Sequence, residues 1–362
     1  MELTKGIGTA LVCPLGWGLG HASRVIPIIK YLHTQGWKVI IAGDSSSISL
    51  INSEIPDLKT VFFPSIPAKL SKNSYQGFKL ISIALRLVFW TIKEHNQLEP
   101  LIKEHGVNLV ISDNRYGLYS DRVPCVLVTH QLRILFPFPF QWIQPLGRWY
   151  VGLHAKRFTE CWIPDNPTGF KLTGILSDNL KGLSTAKRIG LLSRFSGITI
   201  AGGGQHWGIV VIVSGPEPQR ALFEEAGIAL AQIIGVTTLV VRGLPEESEK
   251  ETQIGSVTLV PHLAAEPLAK ALLNTERIVC RAGYSTIMDL VALHRSALLV
   301  PTPGQTEQEY LAKRLNDKGL FMSCRQDKLV STGMEKLDAC WRELPEGIGK
   351  FSDSFFPPRN MC

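Results

Sequence analysis

Short runs of apolar residues alternate with helical stretches along this chain, and that alternation restricts its fold more than any other feature. Gly8–Val12, Lys38–Gly43, Leu109–Ser112 and Val123–Thr129 read as strands, and Ser23–Gln35 reads as a helix stopped by Gly36. Strand, helix, strand in repetition builds a parallel sheet covered by helices on both faces. The pattern breaks at Ser196–Gly208, which carries Gly202-Gly203-Gly204, and then restarts. Ile209–Val213, Thr237–Val241, Val257–Val260, Arg277–Cys280 and Ala297–Val300 follow as strands, with Pro218–Leu230 as a helix among them. The expectation is α/β: two Rossmann-like, doubly wound domains, residues 1–196 and 197–362, facing each other across a cleft. The last helix of the second is expected to pack back on the first. With 362 residues, 45% of them hydrophobic, the chain is long enough for two cores. Ligands of such sheets bind outside the carboxyl ends of the strands, so the site belongs in the cleft.

Charge and cysteine usage narrow the partners. The first 195 residues carry a net charge of +10 and the remainder −3. A basic first half suits an anionic partner, such as a membrane surface or a phosphate-bearing acceptor, and it equally suits a plain solvated face. The basic residues are dispersed and no nucleic-acid-binding motif occurs, so nucleic acid is not expected. Seven scattered cysteines, with no CxxC and no Cys/His metal spacing, fit reduced thiols in a cytoplasmic protein. Met-Glu-Leu-Thr-Lys offers no apolar run for a signal peptide, and no apolar stretch approaches the ~18 residues of a spanning helix.

Two loops hold the candidate chemistry. After the first strand comes Gly16-Trp17-Gly18-Leu19-Gly20-His21, leading into a helix. Glycines allow close approach of a ligand to the backbone, and a helix N-terminus offers free N–H groups. The spacing is G-x-G-x-G rather than the G-x-G-x-x-G of dinucleotide binding, and only Asp44 stands where an acidic ribose partner would, so an NAD enzyme is the weaker reading. His21 reads either as a base near neutral pH or as a polar loop residue.

The second loop is Val279-Cys280-Arg281-Ala282-Gly283-Tyr284-Ser285-Thr286-Ile287-Met288-Asp289. A strand end, a glycine turn and two hydroxyl residues opening a helix make a phosphate-friendly site, and also an ordinary helix N-cap. Asp289 lies one turn further in, where a carboxylate can accept from two ribose hydroxyls. Some 20 residues on, Pro301-Thr302-Pro303-Gly304-Gln305-Thr306-Glu307-Gln308-Glu309 repeats the scheme of strand end, loop and polar helix start, with Glu307 and Gln308 as candidate readers of sugar hydroxyls.

In this order the elements resemble the donor-binding half of GT-B glycosyltransferases, with family 28, and its relative family 1, as the nearest pattern. The resemblance implies that Gly283, Tyr284, Ser285 and Thr286 hold the diphosphate, with Arg281 beside them. It places Asp289 on the ribose, although a Glu is commoner there, and Glu307, Gln308 and Glu309 on the donor sugar. Gly18, Gly20 and His21 match the family's N-terminal glycine-histidine loop. Val213-Ser214-Gly215-Pro216-Glu217 resembles a further diphosphate-facing loop through Gly215, in an unusual proline-rich form.

The implied reaction is an inverting transfer of a hexose or N-acetylhexosamine from a nucleotide-sugar, a UDP-sugar first among them, to a hydroxyl acceptor of lipid-linked or cell-envelope type. His21 serves as base, and Asp113, at a strand end, orients His21 or the acceptor, or else merely closes a turn. Neither a metal nor a cofactor is expected, since the nucleotide-sugar is a substrate and no D-x-D occurs. A nucleotide-sugar epimerase of the same fold and a non-catalytic nucleotide-sugar-binding protein are the alternatives. Two apolar stretches, Phe78–Ile92 and the Phe/Trp/Arg-rich His130–Phe158, read either as core or as a surface meeting the inner face of a membrane; for the first, a buried helix is the expectation.

Overall fold

The computed structural model describes residues 8–66, 79–178, 183–198, 203–247, 251–340 and 343–344. Two seven-stranded sheets organise them. The first contains β1 (Thr9–Cys13), β2 (Lys38–Gly43), β3 (Lys59–Phe62), β4 (Val107–Asp113), β5 (Cys125–Val128), β6 (Glu160–Ile163) and β7 (Ala186–Arg188). They are parallel throughout, in the order β3-β2-β1-β4-β5-β6-β7. The second contains β8 (Trp207–Ile212), β9 (Thr238–Val241), β10 (Thr252–Ile254), β11 (Val257–Val260), β12 (Thr275–Cys280), β13 (Leu298–Leu299) and β14 (Met322–Ser323), in the order β10-β11-β9-β8-β12-β13-β14. Only the edge hairpin β10–β11 is antiparallel.

The strand order reverses direction at the β1/β4 pair in one sheet and at the β8/β12 pair in the other, which is where doubly wound sheets leave room for a ligand. The central strands are buried on both faces, all six residues of β8 among them, as parallel strands covered by helices must be. The helices are α1 (Leu19–Thr34), α2 (Ser45–Glu54), α3 (Lys79–His105) and α4 (Gln144–Ala155) in the first half. The second half supplies α5 (Gln219–Ile234), α6 (Ala265–Leu273), α7 (Tyr284–Ala292), α8 (Thr306–Asp317) and α9 (Leu329–Asp338).

One apolar cluster runs from the first sheet into the second, joining Val25, Ile26 and Trp162 to Ile287, Met288 and Leu290. Helix α1 packs on α7 within it. Each sheet has a separate outer core, around Leu98, Val110 and Phe158 in one and Val211, Phe223 and Val240 in the other. The last described helix, α9, packs through Leu329 and Leu337 into the second domain's outer core. The chain after residue 344, where a helix was expected to return to the first domain, lies outside the described residues, as do 199–202 of the expected hinge.

Three expectations change. Helix α1 begins at Leu19, so His21 sits in its first turn rather than in the loop before it. Gly18 makes that start possible, because its φ of +106° is closed to most side chains. Strands β3, β7, β10 and β14 carry too few apolar residues in sequence to announce themselves, and β6 is a run of only four residues. The expected burial of Phe78–Ile92 does not hold where the chain is described: Val88, Phe89 and Ile92 of α3 are exposed. Residue 78 and the side chains of 79–85 lie outside the described residues.

Candidate active site

The glycine loop between β1 and α1 is held from three sides. The Gly16 N–H donates to Ser65 Oγ at 2.9 Å and the Trp17 indole N–H to the Ile66 carbonyl at 2.6 Å. A Cβ on Gly16 would fall 1.6 Å from Asp44 Oδ2, so only glycine fits. Asp44 itself caps α2 by accepting from the Ser47 N–H with one carboxylate oxygen.

His21 faces Asp113 at the end of β4. Its Nδ1 lies 2.8 Å from Asp113 Oδ2, and Asp113 is fully buried. The Arg24 Nε–H donates to Asp113 Oδ1 at 2.8 Å, and a second Arg24 nitrogen reaches the same oxygen. Burial pushes the His21 pKa below its usual value, the Arg24 guanidinium pushes it further, and Asp113 opposes both without reversing the result. For Asp113, burial acts to raise the pKa, but Arg24 and His21 outweigh it and hold the carboxyl ionised below its usual range. Nδ1 also lies 2.9 Å from an Arg24 nitrogen, which can only donate, so Asp113 Oδ2 is the neighbour able to take an Nδ1 proton; with the proton placed there, Nε2 of a neutral His21 is left as the basic nitrogen. Asp113 therefore orients His21, one of the two roles its position allowed.

Across the interface stands the N-terminus of α7. Gly283 is its N-cap and provides no side-chain cap, and Gly283 and Thr286 are part-exposed. The Ser285 hydroxyl donates to the Gly20 carbonyl at 2.6 Å, so the helix end and the histidine-bearing turn are in direct contact. Tyr284 is buried and donates its hydroxyl to the Pro164 carbonyl at 2.6 Å. Gly215 lies just past β8 at φ +103° and is part-exposed, with no atom within 4 Å of the position its Cβ would take.

Several expected donor contacts are taken up otherwise. Arg281 is fully buried, donating to the carbonyls of Gln219, Val300 and Pro301 and lying over the Phe223 ring. Burial drops its pKa to about 9. Its side chain is held by backbone carbonyls, Val300 and Pro301 among them, and is not open to a diphosphate. Asp289 is spent on the segment after β7: Oδ1 accepts from Ser193 Oγ at 2.7 Å and the Arg194 N–H at 3.2 Å, and Oδ2 from Arg194 Nε at 3.2 Å. It is not open to a ribose here. Gln308 turns its carbonyl oxygen to the Thr302 N–H at 2.9 Å, and exposed Glu309 accepts from the Gly304 N–H at 2.9 Å. Both tie the loop before α8, as polar residues in a first helical turn commonly do.

Glu307 alone of that trio points to the first domain. Its Oε1 accepts from His130 Nε2 at 2.7 Å. Burial would raise its pKa, but His130, His21 and Arg24 more than compensate and keep it low. Arg24 also donates to His130 Nδ1 at 2.8 Å, which joins the His21–Asp113 pair to Glu307 through Arg24 and His130. His130, Arg24 and Arg194 carry no sequence signal beyond their type; His130 follows a strand end, the only pattern that marks it. Around this line the domains meet directly, through Thr306 Oγ1 to the Leu135 carbonyl at 2.6 Å, the Ile175 N–H to Tyr310 Oη at 2.9 Å and an Arg314 nitrogen to the Lys171 carbonyl at 2.8 Å. Among the described residues no group of three or more His, Cys, Asp or Glu side chains is placed to hold a metal ion.

Residues 243–344 match the glycosyltransferase family 28 C-terminal domain. This match takes in α7, α8 and both loops of the donor-side block. Over most of its length the chain is similar to UDP-N-acetylglucosamine–N-acetylmuramyl-(pentapeptide) pyrophosphoryl-undecaprenol N-acetylglucosamine transferases. It is 22% identical to the protein of Pasteurella multocida (strain Pm70) over 322 residues, 86% of this chain and 83% of that one. It is 21% identical to the one from Yersinia pestis (strain Pestoides F) over 346 residues, 91% of this chain and 88% of that one. Among solved structures, the glycosyltransferase SnogD from Streptomyces nogalater superposes with a TM-score of 0.57 at 13% identity, over 92% of this chain and 91% of that one. The spinosyn rhamnosyltransferase SpnG complexed with thymidine diphosphate superposes with a TM-score of 0.58 at 15% identity, over 91% and 92%. The fold is GT-B.

Proposed function

We propose that this glycosyltransferase, a GT-B fold carrying a family 28 C-terminal domain, moves an N-acetylhexosamine or hexose from a UDP-sugar to a hydroxyl of a lipid-diphosphate-linked acceptor, with inversion at the anomeric carbon. One observation carries the reading: a neutral, carboxylate-oriented histidine faces an uncapped helix N-terminus across the domain interface. His21 Nε2 takes the proton of the acceptor hydroxyl as its oxygen attacks the anomeric carbon. The bond to the diphosphate breaks on the opposite side, and the leaving group gains negative charge. The N–H groups at Gly283–Thr286 and the dipole of α7 meet that charge. In this reading the countercharge comes from the protein, and no metal is assigned to it. UDP and the lipid-linked acceptor class belong to the names of the transferases this chain is similar to. Because the domains touch directly here, substrate entry requires them to part and product formation to follow reclosure.

A peripheral membrane position accompanies this reading. Helix α4 buries Gly147, Val151 and Ala155 and exposes Leu146, Trp149 and Leu153. Just before it, Phe138 and Trp142 are 87% and 77% exposed. The Tyr150 hydroxyl meets Thr91 Oγ1 at 2.9 Å, which sets the exposed Val88, Phe89 and Ile92 of α3 beside this face. Arg148, Lys156 and Arg157 are exposed along it. Exposed tryptophans with basic neighbours suit the headgroup layer of an anionic membrane, where a lipid-linked acceptor lies. Among the described residues no helix is long and apolar enough to cross a membrane.

A thermal-shift series with UDP-, GDP-, dTDP- and CDP-sugars tests the donor assignment. A ligand of the native state raises the melting temperature, and a rise with UDP-sugars alone is expected. No rise with any of the four would remove the donor reading.

A further inference from the structure

We infer that His130 is a positioning residue for the donor sugar: it fixes Glu307 in one orientation, so that the carboxylate meets the sugar's hydroxyls already aimed. This rests on the donor reading above and adds to it a residue of the opposite domain. His130 lies just past β5 and is 4% exposed. All three directions open to its ring are set. Nδ1 faces an Arg24 nitrogen at 2.8 Å, and a guanidinium can only donate, so Nδ1 is the acceptor. The ring proton is therefore on Nε2, which donates to Glu307 Oε1 at 2.7 Å. The ring face stacks on Tyr284, with centroids 4.5 Å apart and planes 8° from parallel, and Tyr284 is itself anchored on the Pro164 carbonyl.

Glu307, in the first turn of α8, is thereby held by one oxygen. Its other oxygen, Oε2, has no hydrogen-bond partner among the described residues, and the side chain keeps 20% of its exposure. A carboxylate oxygen accepts from sugar hydroxyls, and a carboxylate fixed beforehand loses less conformational entropy in doing so. Gln308 and Glu309 are engaged by the loop N–H groups of Thr302 and Gly304, which leaves Glu307 as the acidic member of the trio turned to the interface. The donor sugar is then read by a pair of residues, one from each domain, which joins its recognition to the closed arrangement that brings His21 into place.

Three variants and two ligands separate this from a merely structural role. His130→Gln retains a donor near the position of Nε2; His130→Asn retains a polar group near Nδ1 and cannot reach Glu307; Glu307→Gln removes the charge. Affinities for UDP and for UDP-N-acetylglucosamine are measured by calorimetry on the full chain. The expected result is that the sugar's gain in affinity over UDP falls about tenfold in His130→Asn and in Glu307→Gln, the weight of one charge-assisted hydrogen bond. UDP affinity stays within about twofold, and His130→Gln stays near the unsubstituted protein. Combining His130→Asn with Glu307→Gln should cost no more than Glu307→Gln alone. Equal loss for UDP and the UDP-sugar would overturn the inference, as would an unchanged gain in His130→Asn. Failure of the unsubstituted protein to bind either ligand would instead remove the donor reading beneath it. Should His130→Asn fail to fold, His130→Phe, which keeps a ring to stack on Tyr284 and cannot donate to Glu307, takes its place, with the same tenfold loss of the sugar's gain expected and an unchanged gain overturning the inference.

Discussion

At the scale of single residues, the buried carboxylate of Asp113 has two tasks, and they are separable by substitution. It orients His21, and it balances the charge of Arg24, which is 1% exposed. Asp113→Asn leaves Arg24 without an anion at hydrogen-bond distance. Removing one partner of a buried pair typically costs 3–5 kcal/mol, and about 3 kcal/mol is expected, since His130 retains one Arg24 contact; denaturant unfolding reads it. Transfer should fall by roughly two to four orders of magnitude, the usual weight of an oriented general base. The acid limb carries a sign that can be checked. His21 has a lowered pKa, so the unfolded chain takes up its proton first as pH drops below about 6.5, and stability falls from there down to the folded value. The transfer rate should be level through pH 7 and decline only below the ordinary histidine pKa. In Asp113→Asn the decline should move to still lower pH, because the influence that raised the His21 pKa is gone. His21 and Asp113 were both legible in sequence, as a glycine-loop histidine and a strand-end aspartate. Their pairing was open, because a separation of 92 residues says nothing of contact until the sheet order places β4 beside β1.

Among the elements, α7 and α4 illustrate what hydropathy reads well and what it misses. The glycine turn before α7 and the hydroxyls in its first turn mark a helix N-terminus by their chemistry, and the helix starts there, at Tyr284. Which side chains that terminus offers a ligand depends on packing, and packing withdraws Arg281 and Asp289, whose residue types had suggested the opposite. For α3 and α4 the apolar content was plain, but its direction was not. An apolar stretch fits a core or an exposed face alike, and only the exposure of Phe89, Trp142 and Trp149 shows that these side chains are not core. Trp142→Ser combined with Trp149→Ser should weaken binding to vesicles containing anionic lipid at least tenfold, read by co-sedimentation. Each removes an exposed indole and no core contact, so the melting temperature and transfer to a water-soluble acceptor should stay within about twofold or a few degrees of the parent. Undiminished vesicle binding would remove this face from the membrane.

For the whole molecule, two doubly wound sheets were implied by the restart of the βαβ pattern and stand as expected, while their matching strand orders come from the structure. The way they are joined was not implied. The segment after β7 enters the second domain's helix layer, where Ser193 and Arg194 surround Asp289. Burial raises the Asp289 pKa, while Arg194 and Ser193 counter it in part. Arg194→Ala should therefore destabilise the chain by about 2–4 kcal/mol at neutral pH, by leaving a buried carboxylate without its cation. Asp289→Asn, which removes the charge and keeps the shape, should cost distinctly less. Equal losses in denaturant unfolding would show that the charge is not what this contact balances.

The pairing of His21 with the α7 terminus across the interface is tested most directly in His21→Ala, by measuring UDP-sugar affinity and the transfer rate on the same preparation. UDP-sugar affinity within about threefold of the parent, with transfer reduced at least a thousandfold, is the expected result. Normal turnover in that variant would contradict the role of His21 as base. Loss of donor affinity together with transfer would place His21 in the donor site rather than on the wall opposite it.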